Sequence, residues 1–137
     1  MKSCTIIYNP SSGHRKIKKY IPEIEKIVNK KGYETEVIAT KYKGHAIDIV
    51  KNLNKVDLVM SFGGDGTFNE VMTGNFKRKE KLLLTHIPVG TTNDIGAMLG
   101  YTKNILENVK LSSNVHMNYS IFDGVLYKLV YCVFLLV

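Results

Sequence analysis

An almost unbroken apolar run, residues 56–62, leads straight into a turn that carries three glycines around one acid: Gly63, Gly64, Asp65 and Gly66. A helical pattern follows at once through Thr67, Phe68, Asn69 and Glu70. This strand–turn–helix junction restricts the fold more than any other part of the chain. Glycine permits backbone dihedrals closed to residues with a Cβ, and it lets a ligand approach the main chain. Thr67 and Glu70 have the S/T-x-x-E spacing of a capping box, which predicts exposed amides and the positive end of a helix dipole at the turn. A phosphate suits such a cradle. The bland alternative is a tight turn with no ligand, because a short glycine motif matches by chance often enough.

The flanking sequence predicts what surrounds the turn. Residues 4–8 form a short apolar run ending in Asn9-Pro10-Ser11-Ser12-Gly13, which reads as a first buried strand and its turn. Ile17, Tyr20, Ile21, Ile24, Ile27 and Val28 recur at helical spacing, with Gly32 placed to stop the helix. Residues 33–40 read as a second strand and 44–53 as a second amphipathic helix. Residues 56–62 read as a central parallel strand covered on both faces, with a short helix after it that gives way to a polar stretch at 75–81. Residues 82–89 make a fourth strand, followed by the polar turn Gly90-Thr91-Thr92-Asn93-Asp94 and a helical pattern through Ile95, Met98 and Leu99. One more helix is expected over 102–111. Strands alternating with helices predict an α/β fold, a parallel sheet between helical layers, whose ligands bind beyond the carboxyl ends of the strands. The turns at 9–13, 63–67 and 90–94 all follow strands and should converge on one edge.

The texture changes near residue 115. Residues 119–122 and 125–137 read as two strands joined by an Asp123-Gly124 hairpin turn, the opening of something antiparallel. The expected division is therefore 1–114 and 115–137. The apolar stretch from Val125 contains Lys128 and is shorter than the roughly 20 residues of a spanning helix. With so few partner strands it is expected to associate, as a dimer or an aggregate.

Composition narrows the partners. With 137 residues, 45% apolar and 23% charged, the chain suits one soluble globular domain. Its net charge of +7, spread over Lys16, Lys18, Lys41, Lys43 and the run Lys77-Arg78-Lys79, favours anionic partners without choosing among them. No RNP, helix-turn-helix or zinc pattern accompanies that charge, so nucleic acid is not expected. Cys4 and Cys132 lack metal-ligand spacing and read as reduced thiols, consistent with a cytoplasmic location. His14, His45, His86 and His116 show no ligand spacing either; packing and surface roles are expected for them. No Walker A sequence and no GxGxxG after the first strand are present.

Gly63-Gly64-Asp65-Gly66-Thr67-Phe68-Asn69-Glu70-Val71, taken with Pro88-Val89-Gly90-Thr91-Thr92-Asn93-Asp94, resembles the diacylglycerol kinase catalytic-domain family, which includes bacterial diacylglycerol kinases and the sphingosine and ceramide kinases. The first motif is shared with NAD kinases; the second separates the lipid kinases from them. Asn9-Pro10 with Ser12-Gly13, and Thr40 followed by Gly44-His45-Ala46, are also similar to that family, and the resemblance covers about residues 3–122.

The resemblance implies a three-layer nucleotide-binding domain and a kinase that passes the ATP γ-phosphate to a lipid hydroxyl, with diacylglycerol the leading acceptor. It implies an ATP site built from Asn9, Thr40, Gly63, Gly64, Asp65, Gly66, Thr67, Phe68, Asn69 and Thr91. Asp65 would orient the loop or hold a hydrated magnesium ion. The single-residue alternatives are an Asx turn for Asn9, a strand end for Thr40 and a helix N-cap for Thr67.

The implied partners are ATP and a lipid at an anionic membrane surface, so the cytoplasmic location extends to peripheral contact with the inner membrane. One departure is Ile95-Gly96-Ala97, where the family carries an aromatic residue and Ala-Arg. Another is length: family members continue into a largely β domain that supplies the lipid cleft, the magnesium-binding acids and the general base, and residues 115–137 resemble only its beginning. A truncated β domain is therefore expected, with the catalytic base lying in the missing part. The alternative is a non-catalytic nucleotide-binding or regulatory module; an NAD kinase relative ranks below both.

Overall fold

A computed structural model of the chain describes residues 1–89, 104–112, 120–122 and 125–127. Four parallel strands form one sheet: β1 (Lys2–Tyr8), β2 (Tyr33–Ala39), β3 (Leu58–Gly63) and β4 (Leu84–Pro88), in the order β2-β1-β3-β4. The helices are α1 (Ile17–Lys30), α2 (His45–Asn52), α3 (Asp65–Phe76) and α4 (Ile105–Ser112). A separate antiparallel pair, β5 (Ser120–Phe122) and β6 (Val125–Tyr127), matches the expected hairpin strands. The turn between them, the rest of the predicted last strand and the helix expected through Ile95, Met98 and Leu99 lie outside the described residues.

The period of two along each strand explains the three layers. Cys4, Ile6 and Tyr8 of β1, with Leu58, Met60 and Phe62 of β3, pack on α1 and on Val109 of α4. The alternate residues Ile7, Val59 and Leu84 pack on Ala46 and Val50 of α2 and on Phe68, Val71 and Met72 of α3. Both faces of β3 are thus buried, which is why its sequence reads as a continuous apolar run. Gly74 sets the spacing of the second helical layer: a Cβ there would stand 2.6 Å from the Ile47 carbonyl oxygen. Gly32 ends α1 as expected, at φ +88°, donating its N–H to the Asn29 carbonyl.

Two boundaries differ from the sequence reading. The third strand starts at Leu58 because Asp57 is occupied with the start of β1: its carboxylate accepts the Ser3 N–H at 2.7 Å, and its own N–H donates to the Ser3 carbonyl. The Ser3 N–H is the largest cause holding the Asp57 carboxyl below the usual range, and the Ser3 hydroxyl, which donates to the same oxygen, is the next. The helix after the glycine turn is longer than its pattern suggested, running to Phe76. Asn75, read as part of a polar loop, is buried, and its side chain accepts the Leu82 N–H at 2.8 Å and donates to the Leu82 carbonyl at 3.0 Å. That amide closes the connection from α3 to β4.

Candidate functional site

The sheet order puts a topological switch point at β1 and β3: the chain leaves β1 for β2 on one side and returns to β3 on the other. Ligands in such sheets bind at this crevice, outside the carboxyl ends of the strands. Here the strand ends are level and tied together. The Asn9 N–H donates to the Phe62 carbonyl at 3.0 Å, the Thr40 N–H to the Tyr8 carbonyl at 2.9 Å, and the Val89 N–H to the Gly63 carbonyl at 3.0 Å. The turns at 9–13 and 63–67 therefore meet on one edge, as expected, and the turn after β2 joins them. The turn at 90–94 lies outside the described residues, but Val89, which leads into it, is seated against the others. Gly13 adopts φ +59°, and a Cβ there would stand 2.5 Å from the Val89 carbonyl oxygen, so this position admits only glycine.

A cleft of about 410 Å³ opens on this edge. The turn after β1 contributes Asn9, Pro10 and Ser11, the turn after β2 contributes residues 40–43, and α3 contributes Gly66, Thr67 and Glu70. Asn9 does form the Asx turn considered from sequence, its side-chain oxygen accepting the Ser11 N–H at 3.0 Å, and it does so on the cleft wall. Thr40, Gly66 and Thr67 also line the cleft. Gly63 and Phe68 lie behind it. Phe68 is 2% exposed, with its ring centroid 5.0 Å from that of His86, while Asn69 is exposed and its carbonyl accepts the Thr73 hydroxyl. Thr91 lies outside the described residues.

The glycines serve a purpose other than the dihedral freedom expected of them. None of Gly63, Gly64 and Gly66 has a positive φ. Gly63 is required by packing, since a Cβ there would stand 2.3 Å from Thr67 Oγ1. At Gly64 and Gly66 a Cβ would meet nothing within 4 Å; Gly66 leaves that room on the cleft wall, while Gly64 and Asp65 are not among the residues that line the cleft.

The capping box is also absent. The helix begins at Asp65, with Gly64 as an extended N-cap at φ −86°, ψ −167°, which puts Thr67 inside the first turn. Glu70 accepts the Gly44 N–H at 2.8 Å, linking the turn after β2 to α3. The first-turn amides of α3 thus lack a side-chain cap, and first-turn amides have no carbonyl partner within their own helix. Beside them Asp65 Oδ1 is buried without a hydrogen-bond partner among the described residues. Uncapped amides with the positive end of the dipole suit an anion, and an acceptor-only oxygen next to them suits a cation or a hydrated cation.

The fold and these motifs agree with the comparisons. Residues 3–119 match the family model described as the diacylglycerol kinase catalytic domain. The chain belongs to that family. It is 42% identical over 102 residues to a diacylglycerol kinase of Bacillus subtilis (strain 168), an alignment covering 73% of this chain and 34% of the relative. It is 35% identical over 119 residues to one from Staphylococcus haemolyticus, covering 85% of this chain and 36% of that protein. A solved structure of a diacylglycerol kinase from Bacillus anthracis superposes with a TM-score of 0.76 at 28% identity, covering 92% of this chain and 48% of the other. The chain thus spans about a third of the curated family members and just under half of the solved one.

Sequence reasoning missed Tyr42 as a wall of the cleft and misassigned Glu70. Gly44 was a usable signal for the first: at φ +91° it starts α2 and turns residues 40–43 toward the sheet edge. The Glu70 contact spans 26 residues and leaves no local pattern. Among the histidines, His86 is a core residue at 1% exposure, its Nδ1 2.8 Å from the Ser61 hydroxyl, and His14 is at the surface. His116 lies outside the described residues. Burial pushes the Cys4 thiol up to about 12, so it is an inert core group. Among the described residues no cluster of acids, histidines or cysteines forms a metal site, and no helix is long and apolar enough to cross a membrane.

Proposed function

We propose that residues 1–114 are the ATP-binding half of a lipid kinase, with diacylglycerol as the leading acceptor, and that residues 115–137 open the β domain that completes it. One observation carries this reading: the uncapped start of α3 stands at the sheet's switch point with Gly66 and Thr67 on the cleft wall, and the buried Asp65 oxygen lies next to them in the same turn. The first-turn amides of α3 bind and orient phosphate oxygens, and the Thr67 hydroxyl on the cleft wall adds a donor. Asp65 would orient the loop or hold a hydrated magnesium ion, which would offset the phosphate charge. ATP supplies the transferable phosphoryl group. Phosphoryl transfer depends mainly on positioning and charge stabilisation, and this half contributes both on the donor side.

The net charge of +7 favours work at an anionic membrane surface, where the acceptor lipid lies. A second reading, a nucleotide-binding module without catalysis, draws support from Glu70. This acid on the cleft wall accepts the Gly44 N–H at Oε1, a bond that ties the turn after β2 to α3 and serves the shape of the cleft.

Labelled ATP should bind the purified chain saturably, and a chain extended with a relative's β domain should phosphorylate diacylglycerol in mixed vesicles. No saturable binding would sink both readings. Phosphoryl transfer by the 137-residue chain alone would reject the non-catalytic one.

A further inference from the structure

The cleft wall formed by residues 40–43 carries three exposed side chains, Lys41, Tyr42 and Lys43, and the middle one is aromatic. Tyr42 is 57% exposed, an unusual degree for a large ring, and it lines the cleft. It is held in place rather than loose: its ring stacks on His45, with centroids 4.5 Å apart and planes 20° from parallel. His45 is fixed in turn by the Lys41 N–H, which donates to its Nδ1 at 3.0 Å. The following residue but one, Gly44, donates its N–H to Glu70 on α3, which joins the loop to that helix. A flat π surface, supported from behind and open toward a concave site, is a stacking platform for a planar ring.

We propose that Tyr42 is the base-recognition residue of this chain, stacking on the purine of a nucleotide whose phosphates lie at the start of α3. The proposal rests on the nucleotide-binding reading above and adds where the base goes. Backbone donors cluster at α3 and favour the phosphates there. An extended nucleotide running along the cleft then meets the wall formed by residues 40–43. Stacking is tolerant of base identity, because every base has a π face, so adenine and guanine nucleotides should bind with similar affinity at this contact.

Calorimetric titration of the full chain with ATP, GTP and inorganic tripolyphosphate tests the assignment in wild type, Tyr42→Ala and Tyr42→Phe. The expected result for Tyr42→Ala is a loss of about tenfold or more in affinity for both nucleotides, with tripolyphosphate binding as in wild type. Tyr42→Phe, which keeps the ring, should restore most of the loss. If wild type binds ATP and Tyr42→Ala binds it equally well, the platform is overturned while the nucleotide reading stands; loss of anionic-vesicle binding in that variant would reassign Tyr42 to the membrane. An equal loss of tripolyphosphate and ATP also overturns it, by making Tyr42 a general support of the loop. If wild type binds neither ATP nor tripolyphosphate, the nucleotide reading falls and takes this proposal with it.

Discussion

The α2–α3 layer has two ends, and they are finished in opposite ways. At the end beneath the carboxyl edge of the sheet, the first turn of α3 has no side-chain cap, Gly64 and Gly66 face open space and an Asp65 oxygen is buried without a partner among the described residues. At the other end, the Arg78 guanidinium donates to the carbonyls of Val50 at 2.9 Å, Lys51 at 3.3 Å and Leu53 at 2.6 Å, closing the end of α2. Lys81 donates to the carbonyls of Phe76 and Arg78, and Asn75 satisfies both backbone groups of Leu82. The contrast separates stability from function within one layer. Within this layer the polar groups of the closed end are satisfied internally, and those left open stand at the carboxyl edge where a ligand can complete them.

The contrast can be broken first at the closed end. Asn75→Ala leaves the buried Leu82 N–H and carbonyl without partners and should cost about 2–4 kcal/mol of stability, read by urea denaturation. Arg78→Ala removes a charged donor from the carbonyls of Val50, Lys51 and Leu53 and should cost about 1–2 kcal/mol; Arg78→Lys recovers only part, because an ammonium cannot also keep the bond that Nε–H makes to the Glu80 carbonyl. At the open end the same kind of change should act on binding instead. Gly66→Val puts a side chain into space where nothing within 4 Å opposes it, so stability should shift by no more than about 0.5 kcal/mol while ATP affinity is lost. A large loss of stability in Gly66→Val would show that the open end is structural after all.

The smallest effect concerns pH and lies away from both ends. The Asp57 carboxyl is lowered from its ordinary 3.8, first by the Ser3 backbone hydrogen bond, so its contribution is present above that value. It is lost as pH falls through the lower folded value. Asp57→Asn should flatten the acid limb of the stability profile, and an unchanged limb would show that the Ser3 clamp contributes nothing.

The sequence carried the fold where a residue's role is periodic or local. The apolar run at 56–62 and the spacing from Ile17 to Val28 were enough to predict a buried strand and a helix, because burial on two faces or one stripe writes itself into the pattern. The glycine turn was legible as the junction of a buried strand and a helix for a similar reason. What could not be read was set by distant partners. Thr67 and Glu70 fit a capping box by spacing, but Glu70 is drawn to Gly44 and the helix starts earlier than that spacing required. Tyr42 lies between Lys41 and Lys43 in a stretch with no periodic pattern; its place on the cleft wall goes with the left-handed Gly44 and the His45 stack. Asn75 looked like loop for the same reason, since its partner Leu82 lies across the turn into the next strand.

Hydrogen exchange with and without ATP, followed by peptide, tests the central claim most directly. The account predicts ligand-dependent protection confined to the carboxyl edge, in peptides covering residues 9–13, 40–44 and 63–70, with no change at residues 75–82 at the closed end of the layer. Protection that centres on residues 75–82, or that fails to appear at the edge while ATP is bound, would contradict it.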